Sequence, residues 1–264
     1  MLDLRHQARP HRPELPALEH LFADVRDTWM GRMVNEHASA AVFDGLAAHL
    51  RDDRLPPTHP FQKWAAECDA FAEEERQHGI LCGAVVEAAG GQARATAVQV
   101  DPYPRHDDVA PLEAVLRNVI SVCCLSETAA VALIGAERLR MQPGPLRDLM
   151  SRIYGDEVGH ARFGWRLVAE LVPTLAPEAR ERLSAYLAIA FAHLEAHELA
   201  HLPASYDPPE EGHALGLCRG RDARRLLYDA IDEVMIPGLE RVGLSARRAF
   251  DLRHRAMDHQ RPAS

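Results

Sequence analysis

The sequence predicts an all-α fold: four long helices in a bundle, one long connection across it, and further helices at the carboxyl end. Apolar residues recur every three or four positions over long stretches, which is the spacing of one helix face. No stretch alternates convincingly with the period of two expected of a half-buried strand. Proline and glycine cut the chain into segments of helix length. With 264 residues, 47% of them apolar, there is material for one sizeable core.

Residues 1–16 carry three prolines and several charges and predict an irregular arm. From about residue 16 the spacing is helical through Leu21, Val25, Trp29, Met33, Glu36, Ala40, Phe43, Leu46 and Leu50, ending near Asp52 before Pro56-Pro57. A second helix is expected over 60–89, closed by Gly90-Gly91, with a stripe through Trp64, Cys68, Phe71, Glu75, His78 and Cys82. Residues 92–110, with Pro102, Pro104 and His106-Asp107-Asp108, read as a connection. Fully extended it could cover ~60 Å, more than the ~45 Å of a thirty-residue helix. A third helix over 112–141 stops at Pro143-Gly144-Pro145, and a fourth over 146–171 stops at Pro173. A fifth is expected over 177–202. Residues 203–218 read as a loop, and 220–236 and 243–259 as two helices split by Pro237-Gly238 and Gly243. The chain thus divides into an arm (1–16), a four-helix bundle (17–173) and a helical extension packed on it (174–264), a lid or a dimer contact in prospect.

Two segments share one pattern. Glu75 and His78, and again Glu157 and His160, stand three residues apart, so each pair projects from one helix face. Two more glutamates, Glu36 and Glu127, fall among apolar or small residues. The order is Glu, Glu-x-x-His, Glu, Glu-x-x-His. Glu36 and Glu75 each lie about fifteen residues from their shared turn, and Glu127 and Glu157 about fourteen and eleven from theirs, so antiparallel pairing brings all six to mid-bundle.

This ordered set resembles the ferritin-like diiron-carboxylate superfamily, whose bundle has one long crossover between its second and third helices. The resemblance implies two iron ions, or manganese in one or both positions, since carboxylates and imidazoles suit these metals. It implies that Glu75 and Glu157 bridge them, that His78 and His160 serve one ion each, and that Glu36 and Glu127 are terminal ligands. Asp156 and Glu74, beside the bridging glutamates, would support a histidine across the bundle. Tyr154 is a candidate proton or electron donor. Arg76 and Arg162 either pair with these acids or coat the surface. The activity implied is oxidation of a small organic substrate with dioxygen or peroxide, fed by an external electron donor. The alternative is a ferroxidase or rubrerythrin-like peroxide scavenger.

Departures from individual members matter. Paired Cys-x-x-Cys motifs of a rubredoxin module are absent. The radical tyrosine position of ribonucleotide reductase small subunits holds Cys82. The threonine of monooxygenases and desaturases is replaced by Ala130 and Val131, with Thr128 out of place. The extra histidine of the aminoarene N-oxygenases is Ile153 here. The length is similar to that of the tRNA hydroxylases, but a net charge of −9 argues against a nucleic-acid partner.

A competing motif, His197-Glu198-Leu199-Ala200-His201, matches the H-E-x-x-H pattern of zinc hydrolases, and His193 extends its ladder by a turn. No glycine-rich continuation with a third histidine follows it. Five cysteines do not read as a disulfide framework. No signal-like amino terminus and no run near the ~20 apolar residues of a membrane span is evident. A cytoplasmic protein without membrane or nucleic-acid partners, with a homodimer as an option, is the expectation.

Overall fold

Helices α1 (Phe22–Leu50), α2 (Phe61–Ala88), α3 (Pro111–Arg140) and α4 (Pro145–Leu171) form the central set in the computed structural model, which describes residues 1–96 and 102–258. They are followed by α5 (Pro177–His201), α6 (220–241) and α7 (Ala246–Asp258). The all-α expectation holds. Strand among the described residues is limited to Leu2–Asp3 paired with Arg94–Ala95.

Side-chain contacts fix the helix directions. Asp44 of α1 meets Arg76 of α2 at 2.6 Å, Glu36 lies beside His78, and Met33 lies beside Gly83, so α1 and α2 are antiparallel. Cys123, Thr128 and Gly135 of α3 meet Gly164, Trp165 and Tyr154 of α4, which makes that pair antiparallel too. Glu67 and Glu74 of α2 meet Arg166 and His160 of α4. Hence α2 and α3 are parallel, and the connection between them must travel back along the bundle. Its two ends confirm this. Ala89 accepts a hydrogen bond from Arg26, whereas Tyr103 packs on Gly45 with its hydroxyl 3.2 Å from His49 Nδ1. Arg26 and His49 are about 35 Å apart along α1 at 1.5 Å per residue. Part of this connection, 97–101, lies outside the described residues, as does residue 259 of the expected last helix.

Several expectations need correction. The arm is not merely irregular: Leu2, Leu4 and Ala8 are buried, the segment Arg5–Ala8 forms a helical turn, and the Leu2–Asp3 pairing anchors it to the start of the crossover. Three prolines shorten its helix without preventing docking. Residues 203–218 include a short 3₁₀ segment, Glu210–Leu215. Pro237-Gly238 does not split α6. Its Gly220–Ala230 segment passes into a π-helical stretch, Ile231–Met235, and then Ile236–Arg241. The wider turn accommodates a proline that has no N–H to give and whose ring would crowd the carbonyl four residues back. The chain breaks instead at Gly243, whose φ of 86° suits glycine. Finally, Pro111–Arg140 is apolar enough by length and composition to cross a membrane, contrary to the sequence reading, although here it is a core helix with Glu127 at its middle.

The extension shares one core with the bundle: Phe43, Trp64, Val115 and Leu167 belong to the same cluster as Leu187, Phe191, Leu227 and Leu239. One buried ion pair stitches it down and a second ties its own helices together. Buried Glu113 of α3 accepts from Arg117 at 3.1 Å and from Arg182 of α5 at 2.7 Å. Buried Glu195 of α5 accepts from Arg253 of α7 and from the Tyr228 hydroxyl of α6, at 2.9 and 2.7 Å.

Candidate metal centre

Four helices deliver six side chains to mid-bundle. On α2 and α4 the three-residue spacing sets each glutamate one turn below its histidine on the inward face. On α1 and α3 a single glutamate interrupts an apolar stripe. α3 carries a further device. Its Ile120–Ser126 turn is π-helical immediately before Glu127, where Gly164 of α4 presses so closely that a Cβ there would overlap Cys123.

The result is two overlapping quartets. Glu36, Glu75, His78 and Glu157 offer ligand atoms all within 4.8 Å of one another, and so do Glu75, Glu127, Glu157 and His160. Glu75 and Glu157 belong to both. His78 Nδ1 lies 3.2 Å from Glu157, 3.6 Å from Glu36 and 4.0 Å from Glu75. His160 Nδ1 lies 3.2 Å from Glu75 and 3.6 Å from both Glu127 and Glu157. All six predicted ligands are therefore brought together.

The opposite edge of each ring is tied across the bundle. His78 Nε2–H donates to Asp156 of α4 at 3.0 Å, and His160 Nε2–H donates to Glu74 of α2 at 2.9 Å. Carboxylates only accept, so each ring's proton sits on Nε2 and leaves Nδ1 as a lone pair facing the cluster. Both Nδ1 atoms are buried without a hydrogen-bond partner. A buried acceptor pointed at four carboxylates is repulsive unless a cation lies between them. The donor set and these two orphaned nitrogens fit metal ions.

Electrostatics agree. Burial, reinforced by the Glu157 charge, pushes the Glu75 and Glu127 carboxyls well above their usual range. Glu157, although burial opposes it, is held low by Glu127, His160 and His78 beside it. Without a cation the rings themselves would take a second proton: against burial, His78 is raised to about 11 by Glu157 and Glu36, and His160 is raised by Glu127, Glu157 and Glu75. The cluster demands positive charge. Divalent ions supply it without protonating the ligands.

Other candidates stand apart. Tyr154 packs on Gly135 with the Arg138 guanidinium 4.7 Å over its ring, and among the described residues no hydrogen bond joins its hydroxyl to the cluster. Arg76 pairs with Asp44 rather than Glu74, and Arg162 is exposed. His197 and His201 sit edge to face, 4.8 Å between centroids, on the exposed end of α5. No third ligand-type side chain joins them in a metal-sized group among the described residues.

Sequence reasoning missed the dry wall behind His160, where Phe71 and Phe43 ring centroids lie 4.5 and 5.1 Å away. It also missed Arg32, one turn before Glu36, whose guanidinium bonds Glu137 of α3 at 2.6 Å. A basic residue inside an otherwise apolar stripe was the available signal. The chain as a whole matches no protein-family model, no curated protein and no solved structure.

Proposed function

We propose that this chain is a ferritin-like dimetal-carboxylate oxidoreductase that uses dioxygen or peroxide to oxidise a small organic substrate, with electrons from an external donor. The observation that carries the reading is the sharing of Glu75 and Glu157 between two quartets, each completed by one histidine and one terminal glutamate. Such sharing would let Glu75 and Glu157 serve two cations at once. Two iron ions, or manganese in one or both positions, would supply oxygen binding and redox equivalents.

The chain's own residues then have definite tasks. Glu36 and His78 complete one metal position, Glu127 and His160 the other. Asp156 and Glu74 fix the histidine tautomer and ring orientation. Phe43, Phe71 and Phe163 keep water from the His160 side, with Phe71 and Phe163 edge to face at 5.3 Å. Glu36 is the most exposed of the six side chains.

The ferroxidase or peroxide-scavenging reading needs no organic substrate. The half-buried apolar turn above Glu127, with Ala130 and Ile134, favours an organic one. Metal analysis of protein purified without added metal tests the reading: about two iron or manganese ions per chain are expected. Oxygen uptake by the ferrous protein then separates the two activities. Uptake proportional to added ferrous ion, unaffected by any organic compound, would favour the ferroxidase. One zinc per chain, removed by changing His197 and His201, would replace the whole reading with a hydrolytic one.

A further inference from the structure

The six ligands are not equally enclosed. The side chains of His78, His160, Glu75 and Glu157 are at most 3% exposed, whereas Glu127 is 8% and Glu36 12%. The two more open ligands are those on α1 and α3. Close backbone approaches between these two helices are few, as they also are between α2 and α4.

Helix phase makes the point sharper. Ala130 and Ile134 stand three and seven residues after Glu127 and share its inward face. The corresponding residues on α2, His78 and Cys82, are buried, and so are Ile153 and Met150 on α4. Ala130 and Ile134 are only half-buried. This stretch of α3 is thus less enclosed than the matching faces of α2 and α4. There is little close backbone packing between the first half of α1 and the Glu127–Arg140 half of α3. Two things join them: the Leu215–Gly216 segment, which accepts from Trp29 and packs on Met141, and Arg32, which donates to Glu137 at 2.6 Å and to the Gly216 carbonyl at 3.2 Å and stacks on Trp29.

The other approaches are filled. On the α2–α4 side stand the two histidine–carboxylate bonds and the Arg166–Glu67 pair at 2.6 Å. Toward the lower end are Phe43 and Phe71 against His160.

We propose that the seam between α1 and α3 is the entrance to the centre, that the Arg32–Glu137 bridge is the strap across it, and that its apolar wall admits an uncharged, apolar small molecule to the Glu127 side. This rests on the dimetal reading above. Arg32 and Glu137 are positioning residues that act through the seam rather than on bound metal.

Release of manganese from loaded protein to an excess of chelator measures the entrance without any assay of activity. Arg32→Gln and Glu137→Gln should each release the metal about tenfold faster, as loss of one charge-assisted bond allows. Ala130→Phe should slow release. Glu67→Gln, which breaks a comparable pair on the α2–α4 side, should leave the rate at the parental value. Toluene should slow release from the parent protein, and benzoate, of similar size but charged, should not.

Parental rates in both strap variants would overturn the entrance, and so would equal acceleration by Glu67→Gln. Slowing by benzoate as strong as that by toluene would overturn the apolar class. A parent protein that binds no manganese or iron would overturn the dimetal reading itself, and the entrance with it. Bound metal with unchanged rates would sink the entrance alone.

Discussion

Mid-bundle and the carboxyl end of α5 carry similar letters and very different sites. Glu75-x-x-His78 and Glu157-x-x-His160 converge from two helices, meet Glu36 and Glu127 from two more, and are braced from behind by Asp156 and Glu74. The His197-Glu198-Leu199-Ala200-His201 run offers two imidazoles from one exposed helix face. Spacing along a helix is cheap and recurs by chance. Convergence of several helices, burial, and a carboxylate behind each ring are what separate a metal centre from a polar surface.

The sharpest way to break this comparison is to remove one shared glutamate together with a histidine. Glu157→Ala combined with His160→Ala takes away one carboxylate common to both quartets and one imidazole. Bound metal, measured by mass spectrometry, should fall from about two ions per chain to none. Retention of the full metal content would mean that the ions sit elsewhere, with α5 the first place to look.

A third histidine tests whether burial alone makes the difference. His49 is as buried as His78, but it faces the Tyr103 hydroxyl and Asn118 rather than carboxylates. Burial, then Arg105, pushes its imidazole down to about 4, the opposite direction from His78. Its neutral form belongs to the fold, so its contribution is complete above about 6.5, the unfolded value, and is lost as pH falls toward 4. Between pH 7 and pH 4 the parent should lose about 2–3 kcal/mol more than His49→Gln in denaturant unfolding. Equal losses would show that the neighbours of His49 already accommodate its charge.

A smaller effect is expected from the braces. Asp156→Asn and Glu74→Gln keep the shape but weaken the hold on Nε2, and each should lower metal affinity by about 10–100-fold. Their effects should be similar, since the two bonds are 3.0 and 2.9 Å. If Asp156 mattered and Glu74 did not, the near-symmetry of the two halves would be structural only.

The two regions also show what a sequence reveals. The ligand set was legible because each helix encodes its own part locally, and short turns at 51–60 and 141–144 set the heights. The docking of Leu2 and Leu4 was not, since it depends on pairing with Ala95 and Ala93, far along the chain. Nor was the π-helical turn at Ile120–Ser126, which involves close packing between Cys123 and Gly164 on another helix. Glu113 is instructive in between. Its i,i+4 partner Arg117 was visible, but the bond from Arg182 that completes its burial comes from α5. The continuity of α6 through Pro237 was hidden for a related reason: a proline reads as a stop unless the preceding turn widens.

The least effect should come from α5. His197→Ala with His201→Ala removes exposed side chains whose rings touch mainly each other, so stability should change by no more than about 0.5 kcal/mol. Iron or manganese content should not change at all. Zinc or nickel added in excess would still find the wild-type pair, because two imidazoles a helical turn apart can chelate a borderline cation from one side. Such binding should be weak, reversible by dialysis, and absent in the variant. Were the variant to lose tightly held metal, two rings on an open helix end would have outcompeted four buried carboxylates. Burial and convergence would then be the wrong criteria for this chain, and the mid-bundle cluster would need another explanation for its unpartnered nitrogens.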